Sequence, residues 1–379
     1  MALPESNDQS SNEPRLNVFL AAPCPPPNGG ITNWQRIVSR KLGQDEDVGL
    51  KLIDTSLKKE PSRRGFFYSA KGVLSIIGQA RKTLRKADAH FCKDAVLHVC
   101  TSGGMGFVRD IGLIKAAHSR KIPVMLHLHF GRVPELLQAG SFESRLLAQA
   151  LALADGIMTM DGKTLAALCG HGYGEKTCLV PNPIEDEVFC RPTSAKSEEV
   201  VFVGHVIQTK GVEELVQAWD AVAKRQKNSR LLIIGPVEAE YKDQLAGLCG
   251  VSDIEFCGPL CHEDAINHIA QAKALVLPSY TEGFPNVVLE AMAVDTPVVA
   301  TPVGAIPEML SDGRGVLVPV GNVEKLAAGI TRLLEDGQAS SEIAEKAKRH
   351  AMDSYSLSTV IDKMKSAWMG LLPEHVSEA

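Results

Sequence analysis

Twelve short runs rich in Val, Ile and Leu alternate along this chain with longer stretches of helical period, and that alternation restricts the fold more than any other feature. Continuous apolar runs of strand length suit strands buried on both faces. Parallel strands also need a crossover of about a dozen residues or more, and the intervening helical stretches supply it. The first series reads as strands at Leu16–Leu20, Val48–Ile53, Ala95–Cys100, Val124–Leu128, Gly156–Met160 and Cys178–Val180, with helices such as Ile31–Leu42 and Phe107–Arg120 between them. The second runs through Val200–Val203, Leu231–Ile234, Ile254–Cys257, Ala274–Leu277, Pro297–Ala300 and Gly315–Val318. Each series suffices for its own doubly wound sheet, so the fold class is α/β with two domains. The length of 379 residues agrees, at roughly 100 to 200 residues per domain.

Between the two series, Pro181 to Glu199 holds three prolines and several acids without an apolar period, and reads as a linker. The expected division is a tail over 1–14, an N-terminal domain over 15–185 joined by the C-terminal helix 355–375, and a C-terminal domain over 186–354. Helical stretches at Val323–Arg349 and Leu357–Leu372 follow the last strand. The second carries Met364, Trp368 and Leu371 on one side and is expected to pack back across the domain junction. Open α/β sheets place ligands at the carboxyl ends of their strands, in a cleft where two such sheets meet at a hinge.

Hydrophobic residues make up 45% of the chain and charged residues 22%, which argues against disorder as the main state. A net charge of −5 provides no global basic field, so nucleic acid is not an expected partner. Nine cysteines without a Cys-x-x-Cys pair read as reduced, mostly buried thiols of a cytosolic protein, not as a disulfide frame or a zinc site. The polar, acidic opening lacks the features of a secretory signal. The most apolar helical stretch, Leu146–Ala154, falls well short of the roughly 20 residues that span a bilayer. The expected location is the cytoplasm, in solution or on the inner face of the membrane.

The chemistry concentrates in Leu277-Pro-Ser-Tyr-Thr-Glu-Gly-Phe-Pro-Asn-Val-Val-Leu-Glu-Ala-Met-Ala293, a strand running through a loop into a helix that should begin near Pro285. Proline suits a first helical turn, and the amides that follow, with the helix dipole, favour an anion. Glu282 lies in the loop and Glu290 more than a turn into the helix, so two acids can flank a diphosphate. A solvated loop acid and a helix-face acid are the plainer alternative.

The text Pro-Ser-x-x-Glu-Gly-Phe-Pro-Asn-x-x-x-Glu-Ala-Met-Ala resembles the core motif of the retaining glycosyltransferases of family 4. Val203-Gly-His205, Lys210-Gly211, Ile234-Gly235, Phe256-Cys-Gly258 and Thr301-Pro-Val-Gly-Ala-Ile-Pro-Glu308 with Asp312-Gly313 follow in that family's order. The resemblance is close in the second half and loose in the first. It implies the GT-B fold, two facing Rossmann-like domains with a cleft between them, a nucleotide-sugar donor on the C-terminal domain and an acceptor on the N-terminal one.

By that resemblance Glu290 holds the ribose, with Gly258 and Leu260 on the nucleoside side, and Glu282 lies beside the transferred sugar with Gly283 and Phe284. Asn286 and Val287 offer amides to the diphosphate, while Pro285 has none to offer. Lys210 matches a diphosphate-binding lysine. His205 stands where the family commonly has arginine, so a second cation there depends on its protonation. In Pro23-Cys-Pro-Pro-Pro-Asn-Gly-Gly30, Gly29 and Gly30 match a loop that touches donor phosphate and acceptor. Thr101-Ser-Gly-Gly-Met-Gly106, with Ser102, ends another strand the same way and is a candidate acceptor wall.

In Leu126-His-Leu-His-Phe-Gly-Arg132, His127 and His129 alternate and would share a face of an extended segment. They could be metal ligands, although no third ligand is near in sequence, or hydrogen-bonded structure. The family has a histidine in this loop near the donor sugar, and His129 is the match, with Arg132 available to a phosphate or acceptor group. Asp45-Glu-Asp47 reads as a solvated turn, not a metal motif. No divalent metal or other cofactor is expected.

From Lys58 to Lys86 nine Lys and Arg stand against Glu60 alone, with Phe66, Phe67 and Tyr68 among them and Val73, Ile76, Ile77, Ala80 and Leu84 at helical period. This composition suits a membrane-surface helix, and equally a domain helix with one solvated basic side. The expected function is hexose transfer, with retention, from a UDP-sugar or a GDP-sugar to a saccharide or lipid-linked saccharide in surface polysaccharide synthesis. A GT-B phosphorylase, a nucleotide-sugar epimerase and a non-catalytic nucleotide-sugar-binding subunit are the alternatives.

Overall fold

The computed structural model describes residues 16–25, 29–56, 70–191, 196–248, 250 and 253–372. The expected tail over 1–14 and the aromatic part of the basic stretch lie outside the described residues. Twelve strands form two six-stranded sheets. The first contains β1 (Leu16–Ala22), β2 (Val48–Asp54), β3 (Ala95–Thr101), β4 (Val124–Leu128), β5 (Gly156–Thr159) and β6 (Thr177–Leu179), in the order β2-β1-β3-β4-β5-β6. The second contains β7 (Glu199–Val203), β8 (Arg230–Ile234), β9 (Ile254–Gly258), β10 (Ala274–Leu277), β11 (Val298–Ala300) and β12 (Val316–Leu317), in the order β12-β11-β10-β7-β8-β9.

Helices cover the sheets. They are α1 (Gly30–Leu42), α2 (Ala70–Lys86), α3 (Ala89–Lys93), α4 (Gly106–His118), α5 (Val133–Ala139), α6 (Phe142–Leu153), α7 (Gly162–Gly170) and α8 (Asp186–Phe189), then α9 (Val212–Arg225), α10 (Ala239–Leu248), α11 (His262–Gln271), α12 (Asn286–Ala293), α13 (Ile306–Leu310), α14 (Val323–Glu335), α15 (Gly337–Tyr355) and α16 (Leu357–Met369). Every residue of β1, β3, β4 and β10 is buried, as expected for apolar strands covered on both faces.

Both sheets reverse strand order at one place. Parallel β1 pairs with both β2 and β3, and parallel β7 pairs with both β8 and β10. Loops leaving neighbouring strands at such a reversal run in opposite directions and leave room for a ligand at their carboxyl ends. The loops after β1 and β3 carry Gly29–Gly30 and Ser102. Those after β7 and β10 carry Lys210 and Glu282.

The chain divides into two compact units. One comprises the described residues of Met1–Leu128, Ala139–Met158 and Met364–Ala379, the other His129–Gln138 and Thr159–Lys363. In this division residues 159–185 group with the second unit, and the C-terminal helix groups with the first from Met364 onward. The segment after β6 is bonded to the second unit. Asn182 reaches Asn286, the Ile184 amide reaches the Tyr355 carbonyl, and the Leu357 amide reaches the Ile184 carbonyl. The segment read as a bare linker also contains α8.

Other expectations need local correction. The stretch Val323–Arg349 is two helices, because Asp336 leaves helical geometry and caps α15 by accepting from the Ala339 amide. Helix α12 does begin beside Pro285, which is its N-cap in extended geometry. Of the eight described cysteines, all free, only Cys100 is buried, and Cys169, Cys190 and Cys261 are exposed. They occupy loops and helix ends, where no core forms around them.

Candidate functional site

The order reversal in the second sheet brings Lys210 beside Glu282. Lys210 Nζ donates to Glu282 Oε1 at 2.6 Å, and Ser279 Oγ donates to the same oxygen at 2.6 Å. The Tyr280 amide bonds to the Thr209 carbonyl at 2.9 Å, which fastens the two loops together. Gly211 makes this approach possible. Its φ is 68°, and a Cβ there would stand 2.1 Å from the Pro278 carbonyl oxygen. A side chain at 211 would push the lysine loop off the Glu282 loop.

The Glu282–Gly283 peptide is fixed from a third loop. The Ala305 amide donates to the Gly283 carbonyl at 2.8 Å. Gly304, at φ 56°, lies so close that a Cβ would meet the Gly283 oxygen at 2.4 Å. Gly131 packs on the same peptide, 2.7 Å from the Glu282 carbonyl oxygen by the same measure. Glu308, at the end of this loop, accepts from the Gly162 amide at 2.6 Å, and burial raises its carboxyl pKa. Phe284 is buried edge-on against Tyr355, so its ring anchors the loop and only its backbone can face a ligand.

At the start of α12, the Val288 amide closes onto the Pro285 carbonyl at 3.1 Å. The amides of Asn286 and Val287 precede that first helical bond, which is the arrangement that attracts an anion. Asn182, itself buried, donates to Asn286 Oδ1 at 3.0 Å. Deeper in the helix, Glu290 Oε1 lies 2.9 Å from His262 Nε2. Gly258 ends β9 with φ 72° and accepts from the Gly235 amide, and Leu260 follows, partly exposed.

In the second unit Lys210 touches Glu282, and Gly283, Asn286, Val287 and Glu290 follow Glu282 along the same loop and α12. His205 is exposed after β7, with its carbonyl accepting from Ile207. His129 also belongs to this unit, and burial drives its imidazole pKa down to about 3, so the ring is neutral at physiological pH. Arg132 is exposed just ahead of α5.

In the first unit Gly29 does not leave its amide free. It donates to Thr32 Oγ1 at 2.7 Å, in a capping arrangement at the start of α1. Gly30 is exposed, and a Cβ on it would meet nothing within 4 Å. Ser102 is exposed in a loop whose Gly104 amide donates to Glu143 at 2.8 Å.

His127 lies within β4 and the first unit, whereas His129 follows the strand's end at Leu128 and belongs to the second. His127 points into the first unit's core, where His98, Cys100 and His127 form the one group of three metal-type ligands among the described residues. His129 is not part of it, and the two other members, His98 and Cys100, both come from β3. Its hydrogen bonds give it another purpose. Trp368 Nε1–H donates to His98 Nδ1 at 3.0 Å, so the proton of His98 is on Nε2 and faces His127 Nδ1 at 3.2 Å. Both His98 nitrogens are occupied, and burial raises the Cys100 thiol pKa well above its usual value. The group is a buried polar clasp on the C-terminal helix.

His262, Asn182 and Gly131 also bear on these loops, as do Ser279, Gly304 and Glu308, and none of the six has a role assigned by its place in the sequence. The first three are distant in sequence from the motif and carry no local signal.

The sequence profile of the family described as Glycosyl transferases group 1 matches residues 197–336, which include Lys210, Glu282 and Glu290. The capsular polysaccharide biosynthesis glycosyltransferase CapM of Staphylococcus aureus is 26% identical over 46% of this chain and 46% of its own length. The alpha-D-kanosaminyltransferase of Streptomyces kanamyceticus is 30% identical over 44% of each chain. This chain spans less than half the length of either relative. The structure of Anabaena Alr3699/HepE in complex with UDP covers 93% of this chain and 98% of its own, with a TM-score of 0.69 at 18% identity. The fold is GT-B.

Proposed function

We propose that the protein is a retaining glycosyltransferase that moves a hexose from a nucleoside-diphosphate sugar to a saccharide or lipid-linked saccharide in surface polysaccharide assembly. The observation that carries this is the Lys210–Glu282 pair at 2.6 Å beside the leading amides of α12, with Glu290 deeper in the same helix. A UDP-sugar is the first choice of donor and a GDP-sugar the second. HepE has been solved with UDP and with UDP-glucose, and CapM is named for polysaccharide synthesis.

In this reading Lys210 turns from Glu282 toward the diphosphate and offsets the charge that grows on it as the sugar leaves. The amides of Asn286 and Val287 and the α12 dipole add positive potential, and His205, exposed after β7, offers a further ring N–H to the diphosphate. The protein therefore needs no divalent ion or other cofactor. Glu282, freed from the lysine, accepts from hydroxyls of the transferred sugar. Neutral His129 serves as a hydrogen-bond partner near that sugar. No carboxylate is placed as a nucleophile, so the acceptor attacks on the face that the diphosphate leaves, and the departing phosphate takes its proton. Gly30, Ser102 and Arg132 belong to the acceptor and phosphate side.

The test is a thermal-shift screen against UDP-, GDP-, ADP- and dTDP-sugars with and without EDTA. Ligand at about a hundred times its dissociation constant adds roughly 2.7 kcal/mol. One nucleotide giving a shift that survives EDTA supports the reading, and no shift with any donor rejects it. With the donor known, Glu282→Ala should lower turnover and Glu290→Ala should mainly weaken donor binding, while negligible effects from both would remove the two assignments.

We also propose that the first unit docks on anionic membrane. The apolar side of α2 is spent on the core, since Val73, Ile76, Ala80 and Leu84 are buried. Its outer side is basic, with Arg81, Lys82, Arg85 and Lys86 exposed and no acid along the helix. Helix α2 packs on α4 and α4 on α6. Near the leading ends of these helices Leu74 (67%), Met105 (50%) and Phe142 (63%) are exposed. The basic residues occupy the last two turns of α2 and the apolar ones lie nearer the helix starts; together they would give one extended lipid-facing surface where a lipid-linked acceptor would be presented.

A further inference from the structure

We infer that His262 is a positioning residue for the ribose of the donor nucleotide, acting through Glu290. The inference rests on the donor-site reading above. Glu290 is the fifth residue of α12 and its side chain is only 13% exposed, whereas His262, the first residue of α11, is 48% exposed. The pair is 28 residues apart in sequence, and His262 Nε2 stands 2.9 Å from Glu290 Oε1.

A carboxylate serves a vicinal diol best when each hydroxyl has its own oxygen, and that requires the carboxylate plane to be held at one angle. Glu290 has three side-chain torsions, and α12 fixes none of the outer ones. A ring N–H of His262, in the Nε2–H tautomer or the imidazolium, spends one lone pair of Oε1 and leaves the other oxygen and the second lone pair of Oε1 for hydroxyls. The backbone holds the histidine in place. Cys261 ahead of it caps α11 by accepting from the Asp264 amide, and α11 packs on α12. The ring therefore orients the acid from a second element, on the strand-β9 side where Gly258 and Leu260 lie. Among the described residues, His262 is the hydrogen-bond partner of the Glu290 carboxylate.

A residue that acts on the ribose hydroxyls must distinguish ribose from deoxyribose, and a residue that merely supports the fold does not. The experiment is calorimetric titration of the full chain with UDP, GDP, ADP and CDP, each against its 2′-deoxy counterpart. For the nucleotide that binds, wild type should prefer the ribose form. His262→Ala should lose about tenfold for the ribose form, a change of about 1.4 kcal/mol, and little for the deoxy form. His262→Gln, whose side-chain amide can donate to the same oxygen, should recover much of the preference. Equal loss with both forms, or an undiminished preference in His262→Ala, overturns the inference while leaving the donor site standing. Failure of wild type to bind any of the nucleotides removes the donor-site reading and this inference with it.

Discussion

His129 shows how burial decides what a residue can do. Its pKa falls to about 3 against a usual 6.5 because the imidazole has lost its water. The folded protein thus resists a proton that the unfolded chain accepts. Stability from this group is complete above the unfolded pKa near 6.5, is lost progressively as pH drops from there, and is gone once pH passes below about 3. His129→Gln should accordingly flatten the acid limb of the melting temperature between about pH 6.5 and 4. Parallel curves for the two proteins would mean that the ring is solvated. The sequence pointed to His129 through its place at a strand end, yet could not show its neutrality, which depends on how the chain folds over it. The same limit applies to Gly211 and Gly29. Each was legible as a loop glycine, but that a Cβ on one would stand 2.1 Å from the Pro278 carbonyl oxygen while the other spends its amide on Thr32 is a matter of three-dimensional neighbours.

Elements were far more legible than their partners. All twelve strands lie within a residue or two of where the apolar runs placed them, because a strand buried on both faces leaves an unbroken apolar signature. What runs of letters do not encode is which elements meet. The C-terminal helix is the clearest case. Its apolar side, including Met364 and Trp368, was readable from period alone, and both are fully buried. Its tie to β3, 270 residues away, was not, since it depends on the bond from Trp368 Nε1 to His98 Nδ1. Trp368→Phe keeps an aromatic ring in the core and removes the donor, leaving a buried acceptor unsatisfied. The expected cost is about 1–3 kcal/mol in denaturant unfolding. A loss of less than about 0.5 kcal/mol would show that the clasp contributes packing only.

At the scale of the whole molecule, net charge is a poor guide to partners. The chain totals −5, yet α2 presents four exposed basic residues and no acid, so the sign of the field depends on which face meets a surface. The acids of α4 and α6 are both engaged by other groups. Asp110 is buried against Arg109, and Glu143 accepts from the Gly104 amide. Each basic group near anionic lipid contributes about 1 kcal/mol, so four of them with three apolar side chains suffice for reversible attachment without a spanning helix. None of the described helices is long and apolar enough to cross a membrane. The protein should float with phosphatidylserine-containing liposomes at low salt, float less at high salt because the charges are screened, and stay behind with neutral phosphatidylcholine. Arg81→Glu with Arg85→Glu should abolish flotation while leaving nucleotide binding intact, because these side chains lie on the first unit and the Lys210–Glu282 pair on the second. Flotation that is indifferent to lipid charge, or that survives the double reversal, would assign attachment to apolar contact alone and remove the basic face from the account.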